Sequence, residues 1–160
     1  NAEYDEKYNP LLHSEIYSDE ELFKGIANQI IKKHWVYYVS PSNDFYASDN
    51  PILIKPHIQN QKPFYDGFGM SDAEIIFPIG SSVLLTIWDS DYFNEKESLS
   101  DSFHTINDKV KREYNCYQYI WANKQIYSYT NDFALIDLLK ISNNGKEIFM
   151  ERPKILVNGK

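Results

Sequence analysis

Two apolar runs in the middle of the chain limit its fold more than any other feature. Residues 73–79 and 83–88 are rich in aliphatic and aromatic side chains, and only Gly80, Ser81 and Ser82 separate them. Short runs of this kind, bounded by turn residues, are typical of buried strands. They predict two central strands of a sheet. Pro78 predicts the end of the first strand or a bulge, because proline has no N–H for the sheet's hydrogen bonds.

Patterns upstream predict a helix and a hairpin. Ser18 and Glu21 have the spacing of a capping box, so we expect a helix from Ser18 to about His34. Strand-forming residues fill 35–39, and turn residues at 41–44 predict that the chain returns as a second strand over 45–47. The helix carries apolar residues at helical spacing, which predict a buried face: Leu22, Phe23, Ile26, Ile30 and Ile31.

The rest of the chain completes an α+β pattern. Residues 52–54 predict a short strand, 55–72 a long loop and 89–101 a solvated loop. A shorter helix over 132–139 and a final strand over 155–157 follow. Between the solvated loop and the shorter helix a long helix is expected, with this apolar stripe: Phe103, Ile106, Val110, Tyr114, Tyr117 and Trp121.

These elements predict one domain of the α+β class. We expect a mostly antiparallel sheet of about five strands, packed against two or three helices, one of which is the long late helix. Residues 1–17 are interpreted as the remnant of an expression tag and a lead-in, and 18–160 as the domain. On this interpretation the chain is a fragment of a longer protein.

Composition excludes several classes of partner. The formal net charge is −7 and the isoelectric point is near 5.0, so we expect no nucleic-acid partner, because such affinity depends on clustered Lys and Arg. No apolar run is long enough to span a bilayer, so no membrane partner is expected and a cytoplasmic location is the remaining interpretation. The abundance of Lys, Asn, Ile and Tyr indicates an AT-rich bacterial source.

The sequence predicts neither a metal nor a cofactor. Its four histidines, His13, His34, His57 and His104, are scattered and show no metal-binding spacing. Cys116 is the single cysteine, which excludes an internal disulfide and a zinc ribbon.

The strongest candidate for a functional site is a polar turn between two predicted strands. Ser48, Asp49, Asn50 and Pro51, called here the Asp49 turn, concentrate hydrogen-bonding groups where the backbone must change direction. Asp49 could act as a general acid or base, or accept donors from a ligand. Alternatively, the Asp and Asn side chains bond neighbouring backbone amides and form the turn without any further role.

Two amides on the long helix are candidates for the same site. Asn115 and Gln118 lie at i and i+3, with Ala122 at i+7, so they flank the apolar stripe. They either orient Asp49 beside a ligand or satisfy backbone groups of a strand that ends in the core.

The chain resembles a bacterial domain of unknown function, DUF4238, over about residues 35–130. The resemblance rests on the Asp49 turn after a Trp-led strand and on residues 76–79 before an apolar strand. It also rests on Asn115, Gln118, Ala122 and Tyr127, which are interpreted as part of a late helix. Gly80 stands where the family usually has Ser, and the family's His-containing helical segment is absent, so the chain resembles the carboxy-terminal part of such a protein. The resemblance implies no activity.

Different classes of function therefore stay open. The first is a binding or regulatory module that holds a small polar ligand or a protein partner at the Asp49 turn and an aromatic loop over 63–68. The second is a hydrolase-like enzyme with Asp49 as acid or base and with Asn50 and Asn115 as orienting amides. The third is a non-catalytic support for an upstream segment. The absence of a visible nucleophile or base beside Asp49 favours the binding module, and the sequence leaves the oligomeric state open.

Overall fold

A five-stranded sheet organises the part of the chain that the structure, a computed structural model, describes: residues 18–57 and 71–142. Its strands are β1 (His34–Val39), β3 (Leu53–Pro56), β4 (Ala73–Pro78), β5 (Val83–Trp88) and β6 (Ser102–Thr105), in the spatial order β3-β4-β5-β1-β6. Two short strands, β2 (Ala47–Ser48) and β7 (Ile126–Tyr127), pair separately. The helices are α1 (Glu20–Ile30), α2 (Asp108–Ile120) and α3 (Ala134–Ser142), with a 3₁₀ helix over Asn94–Leu99.

The sheet confirms the predicted α+β class. All neighbouring strands in it are antiparallel except β1 and β6, which are parallel. The two apolar runs form β4 and β5, which lie inside the sheet and pair with each other, as predicted. The turn between them closes through hydrogen bonds from the N–H groups of Ile79 and Gly80 to the carbonyl of Val83, and β4 ends at Pro78.

The predicted hairpin after β1 is wrong. β1 pairs with β5 on one side and with β6 on the other, so neither of its edges is free for the segment that follows it. The N–H of Phe45 instead donates to the carbonyl of Ser81, in the β4–β5 turn, and Ala47 and Ser48 pair with β7. Strand-forming residues on both sides of a turn did not determine the pairing, because β5 and β6 occupy the two edges of β1.

The predicted cap and the predicted buried face of α1 are both wrong. Asp19, not Ser18, caps the helix, accepting hydrogen bonds from the N–H groups of Glu21 and Leu22, each of 3.1 Å. None of the residues of α1 is buried, and in the part of the chain that the structure describes, Ile30, in its last turn, is the residue of α1 that packs against buried residues of the sheet. The helical spacing of the apolar residues indicates an amphipathic helix. Whether the apolar face is buried depends on how the helix packs against the rest of the protein.

The late helix is shorter than predicted. Phe103 lies in β6 and is exposed, and α2 begins after Asn107, whose side chain caps it by accepting from the N–H of Val110. α2 has 13 residues, so a distinctly long helix is not confirmed. The solvated loop contains the 3₁₀ helix, preceded by the buried Phe93. The helix expected over 132–139 is α3, and the strand expected over 155–157 lies outside the described residues.

Different helices pack on the two faces of the sheet. Ile76 and Leu84 face α2 and form a core with Tyr114, whereas Ile75 and its neighbours on the other face contact Ile30 of α1. Consecutive residues of a strand point to opposite faces, so β4 presents Glu74 on the same side as Ile76, toward α2. No helix within the described residues is long and apolar enough to cross a membrane.

Candidate functional site

The Asp49 turn lies beside the end of α2. The two carboxylate oxygens of Asp49 accept hydrogen bonds from the backbone N–H groups of Asn123, at 2.7 Å, and Lys124, at 2.9 Å. The N–H of Asp49 donates to the carbonyl of Gln125 at 3.1 Å. Asp49 therefore ties the turn to the segment that follows α2.

Ser48, Asn50 and Gln118 form a network on the buried side of the turn. The hydroxyl of Ser48 lies 2.8 Å from the carbonyl oxygen of Asn50 and 2.9 Å from Oε1 of Gln118. Nε2 of Gln118 donates to the carbonyl of Pro51 at 2.9 Å, and Nδ2 of Asn50 donates to the carbonyl of Trp121 at 3.2 Å. These bonds join the turn to α2 and to the residue that caps its C-terminal end.

Asn115 bonds a different backbone segment. Its Oδ1 accepts from the N–H of Tyr46 at 2.9 Å, and its Nδ2 donates to the carbonyl of Asp44 at 2.8 Å. Asn115 and Gln118 are both buried, and the contacts described for the two amides are with residues other than the Asp49 side chain. An amide has two donor hydrogens and two lone pairs, so Asn115 retains capacity for one more bond of each kind.

A cleft of about 420 Å³ opens beside Asn115, between α2, α3 and the segment before β2. Its volume lies within the range of small-molecule sites, roughly 300–1,000 Å³. The cleft is lined by polar and charged side chains together with Leu135 and Leu138 of α3; the polar ones used below are Asp44, Lys111, Arg112, Asn115 and Asp132.

Lys111 is the buried cation of this cleft. Its Nζ lies 2.7 Å from Oδ2 of Asp44 and 3.0 Å from Oδ1 of Asp108. Burial alone raises the pKa of Asp44, but hydrogen bonds from Lys111, Ser40 and Ser42 outweigh it and hold that pKa below its ordinary value. Burial lowers the pKa of Lys111, and the two carboxylates more than offset this, so that pKa is raised. Both partners are therefore charged at neutral pH.

A second cluster, which the sequence did not predict, surrounds Glu74 on the α2 side of the sheet. The side chain of Glu74 is 0% exposed. Its Oε1 accepts from the hydroxyl of Tyr114 at 2.5 Å, and its Oε2 lies 3.0 Å from Nε2 of His57. The ammonium of Lys55 is 3.9 Å from the same Oε2. A carboxylate, an imidazole, a phenol and an ammonium thus meet at one buried point.

Aromatic rings enclose this cluster. The ring of His57 packs on Trp88 and Phe93, with centroid distances of 5.3 and 5.0 Å. The ammonium of Lys55 lies 5.0 Å from the ring centroid of Tyr117. Burial, and after it the charge of Glu74, raises the pKa of Tyr114 far above its ordinary value. That phenol consequently stays protonated and acts as a donor.

One signal in the sequence points to the Glu74 cluster in retrospect. Glu74 is the single charged residue of the apolar run that forms β4, and Lys55 and His57 alternate at the end of the neighbouring strand. Alternation places these two side chains on one face, and the register pairs Lys55 with Glu74. That register, however, is known only from the folded sheet and not from the sequence. Within the described residues, no group of three or more His, Cys, Asp or Glu side chains could hold a metal ion.

The fold and these contacts define an α+β domain with a polar cleft beside Asn115 and a buried charged cluster around Glu74. The chain belongs to the family described as a protein of unknown function (DUF4238), whose family model matches residues 2–132. That match begins well upstream of β1, where the residues that carry the resemblance start. Searches of curated proteins and of solved structures found no match.

Proposed function

We propose that this domain binds a small polar ligand with an anionic group in the cleft between α2 and α3. The proposal rests on the side chains that line the cleft. Lys111 and Asn115, one helical turn apart, are both buried at its wall, and Arg112 lies beside them. Within the described residues, the Arg112 guanidinium has no ion pair, whereas Lys111 is already paired with two carboxylates.

An unpaired arginine at a polar cleft favours an anionic group on the ligand. The planar guanidinium offers several N–H donors in a geometry that matches carboxylates and phosphates. Asn115 supplies one further donor and one further acceptor for a neutral polar group. Leu135 and Leu138 add an apolar wall, so the ligand we expect combines one anionic group with a small apolar part.

In this proposal the Asp49 turn supports the site without contacting the ligand. Ser48, Asn50 and Gln118 hold α2 against the turn, and Asn115 on the same helix forms part of the cleft wall. The hydrolase-like alternative has less support, because both carboxylate oxygens of Asp49 already accept backbone hydrogen bonds.

The proposal is tested by screening a panel of small carboxylates, phosphates and zwitterions by ¹H–¹⁵N correlation spectra of the whole chain. A binder should shift backbone signals of α2 and α3 around the cleft. Arg112→Gln should weaken its binding at least tenfold, which corresponds to the loss of one charge-assisted hydrogen bond.

Lys109→Gln is the matched control, since Lys109 is an exposed cation of the same helix that does not line the cleft. Equal losses in the two variants would indicate general electrostatic attraction and contradict a site at Arg112. A binder whose shifts centre on residues 48–51 would instead locate the ligand at the Asp49 turn.

A further inference from the structure

We propose that His57 and Glu74 form a general acid–base site, in which His57 exchanges protons with a water molecule that attacks a carbonyl or phosphoryl centre. The site is separate from the ligand cleft between α2 and α3, and it does not depend on that proposal. It adds a hydrolytic chemistry to a domain whose cleft residues only bind.

The position of Glu74 is determined from two sides. Its side chain has no exposure to solvent, and the protonated phenol of Tyr114 donates to Oε1 at 2.5 Å. Because the raised pKa of Tyr114 keeps that proton on the phenol, the hydrogen bond orients the carboxyl group throughout the neutral range. Oε2 is thereby directed toward His57.

The carboxylate selects the tautomer of His57. A carboxylate is only an acceptor, so in a pair of ionised Glu74 and neutral His57 the imidazole nitrogen 3.0 Å from Oε2, which is Nε2, carries the proton. The lone pair of the neutral ring then lies on Nδ1. Trp88 and Phe93 pack on the ring at 5.3 and 5.0 Å, which restricts its rotation.

Exposure distinguishes the roles of the two residues. The side chain of His57 is 29% exposed, whereas that of Glu74 is 0% exposed. A bound molecule can reach the imidazole but not the carboxylate. His57 is therefore the group that touches the reactants, and Glu74 is a positioning residue that stabilises the imidazolium when it forms.

Stability alone does not account for this cluster. Removing a carboxylate from water costs free energy, and apolar residues of similar size often replace a buried ion pair without loss of stability. Ile75 and Ile76, the next residues of β4, are apolar and buried. The ammonium of Lys55, 3.9 Å from Oε2, places a positive charge beside the Glu74 carboxylate.

The reaction that these groups fit is hydrolysis. Nδ1 of His57 takes a proton from a solvent water while the water oxygen forms a bond to the carbonyl carbon or the phosphorus. The imidazolium, bonded through Nε2 to Glu74, then gives that proton to the leaving oxygen as its bond to the centre breaks. One water is consumed, two products form, and His57 returns to the neutral state.

The first test measures the tautomer by ¹⁵N NMR of the histidine rings, at a pH above the midpoint of the measured ¹⁵N titration of His57, where the ring is neutral. In the wild type, the His57 ring should show a protonated Nε2 and an unprotonated Nδ1. Glu74→Gln should lower that preference, because an amide can donate as well as accept, and Glu74→Asp should restore part of it. A proton on Nδ1 in the wild type, or an unchanged spectrum in Glu74→Gln, overturns the assignment.

The second test measures hydrolysis of two probes, p-nitrophenyl acetate for the carbonyl class and bis(p-nitrophenyl) phosphate for the phosphoryl class. We expect the wild type to hydrolyse one of them above the buffer rate, and His57→Gln to lose at least tenfold of that rate. His104→Gln is the matched control and should keep the rate, since Nε2 of His104 contacts Ser102 and the carbonyl of Leu99, away from Glu74.

Urea denaturation establishes that both histidine variants are folded before their rates are compared. The probe that is hydrolysed identifies the class of substrate. Rates that are equal in the wild type and in folded His57→Gln, or a wild type that hydrolyses neither probe above the buffer rate, overturn the hydrolytic role of His57.

Discussion

The carboxylate of Asp49 accepts a 2.7 Å hydrogen bond from the backbone N–H of Asn123, three residues beyond the last residue of α2. This bond joins a turn between two strands to the end of a helix that lies more than seventy residues later. A residue predicted as a candidate acid or base is thus an acceptor for two backbone N–H groups of the segment that follows α2. The contact has consequences for stability that can be measured.

Asp49→Ala should lower the free energy of unfolding by about 1–2 kcal/mol, because two backbone N–H groups lose a charged acceptor. Asp49→Asn should cost less, since one side-chain oxygen remains. The measurement is the urea midpoint at constant slope. The control is Glu95→Ala. It removes an exposed carboxylate that has no hydrogen bond within the described residues, and it should change the free energy of unfolding by less than about 0.5 kcal/mol. An unchanged midpoint in Asp49→Ala would mean that water replaces the carboxylate at no cost.

Gln118→Leu should destabilise the domain by about 2–3 kcal/mol, since the carbonyl of Pro51 loses its donor and the hydroxyl of Ser48 loses an acceptor in a buried place. Urea denaturation followed by circular dichroism measures the loss. Gln125→Leu removes an amide of the same size from an exposed position and should cost less than about 0.5 kcal/mol. Equal losses in the two variants would contradict a buried network at Ser48.

Tyr114→Phe should cost about 1.5–3 kcal/mol, because it removes a donor to the buried carboxylate of Glu74 and keeps the ring. Tyr38→Phe is a matched control. The Tyr38 hydroxyl has no hydrogen bond within the described residues, and its ring lies 6.2 Å from that of Tyr114. We expect the control to change stability by less than about 0.5 kcal/mol. Chemical denaturation at neutral pH gives both values, and a larger loss in Tyr38→Phe would show that the hydroxyl of Tyr114 is not the relevant group.

The ion pair of Asp44 and Lys111 should make the free energy of unfolding depend on pH in the acidic range. The pKa of Asp44 is lowered in the folded state, so its contribution is fully present above the unfolded pKa, about 3.9, and disappears as the pH falls through the folded value. The difference in unfolding free energy between the wild type and Asp44→Asn should therefore shrink as the pH falls from about 6 to about 2.

Urea midpoints at several pH values measure that difference. Glu95→Gln is the control, and the difference in unfolding free energy between it and the wild type should change much less with pH. The raised pKa of Lys111 predicts a second loss at the alkaline end. Its contribution is present below about 10.5 and disappears as the pH rises through the folded value. A difference between the wild type and Asp44→Asn that stays constant from pH 6 to 2 would contradict the pairing.

Local patterns predicted those elements whose residues alone define them. The runs over β4 and β5, the stop at Pro78, the α+β class and a helix near residues 132–139 are all present. In each case neighbouring side chains and one turn or breaker residue determine the result. The turn at residues 48–51 was recognised on the same basis, and its side chains do form hydrogen bonds within the chain.

Contacts between distant residues were decided by the tertiary structure. The sequence could not show that β1 pairs with β5 and β6 instead of the segment after it, or that Phe103 lies in a strand. Pairing depends on which strand edges remain free once the whole sheet is assembled, and that is a property of the complete chain.

The same limit applies to the sites. By itself the sequence determined the class of fold and one polar turn, because both depend on residues within a few positions of one another. Only the tertiary structure brought Glu74 into contact with His57 and Tyr114, from a strand end and from a helix. The physical reason is that a lone carboxylate in an apolar strand has no partner nearby in the sequence. Strand register and helix packing determine which residues pair with it and make its burial possible.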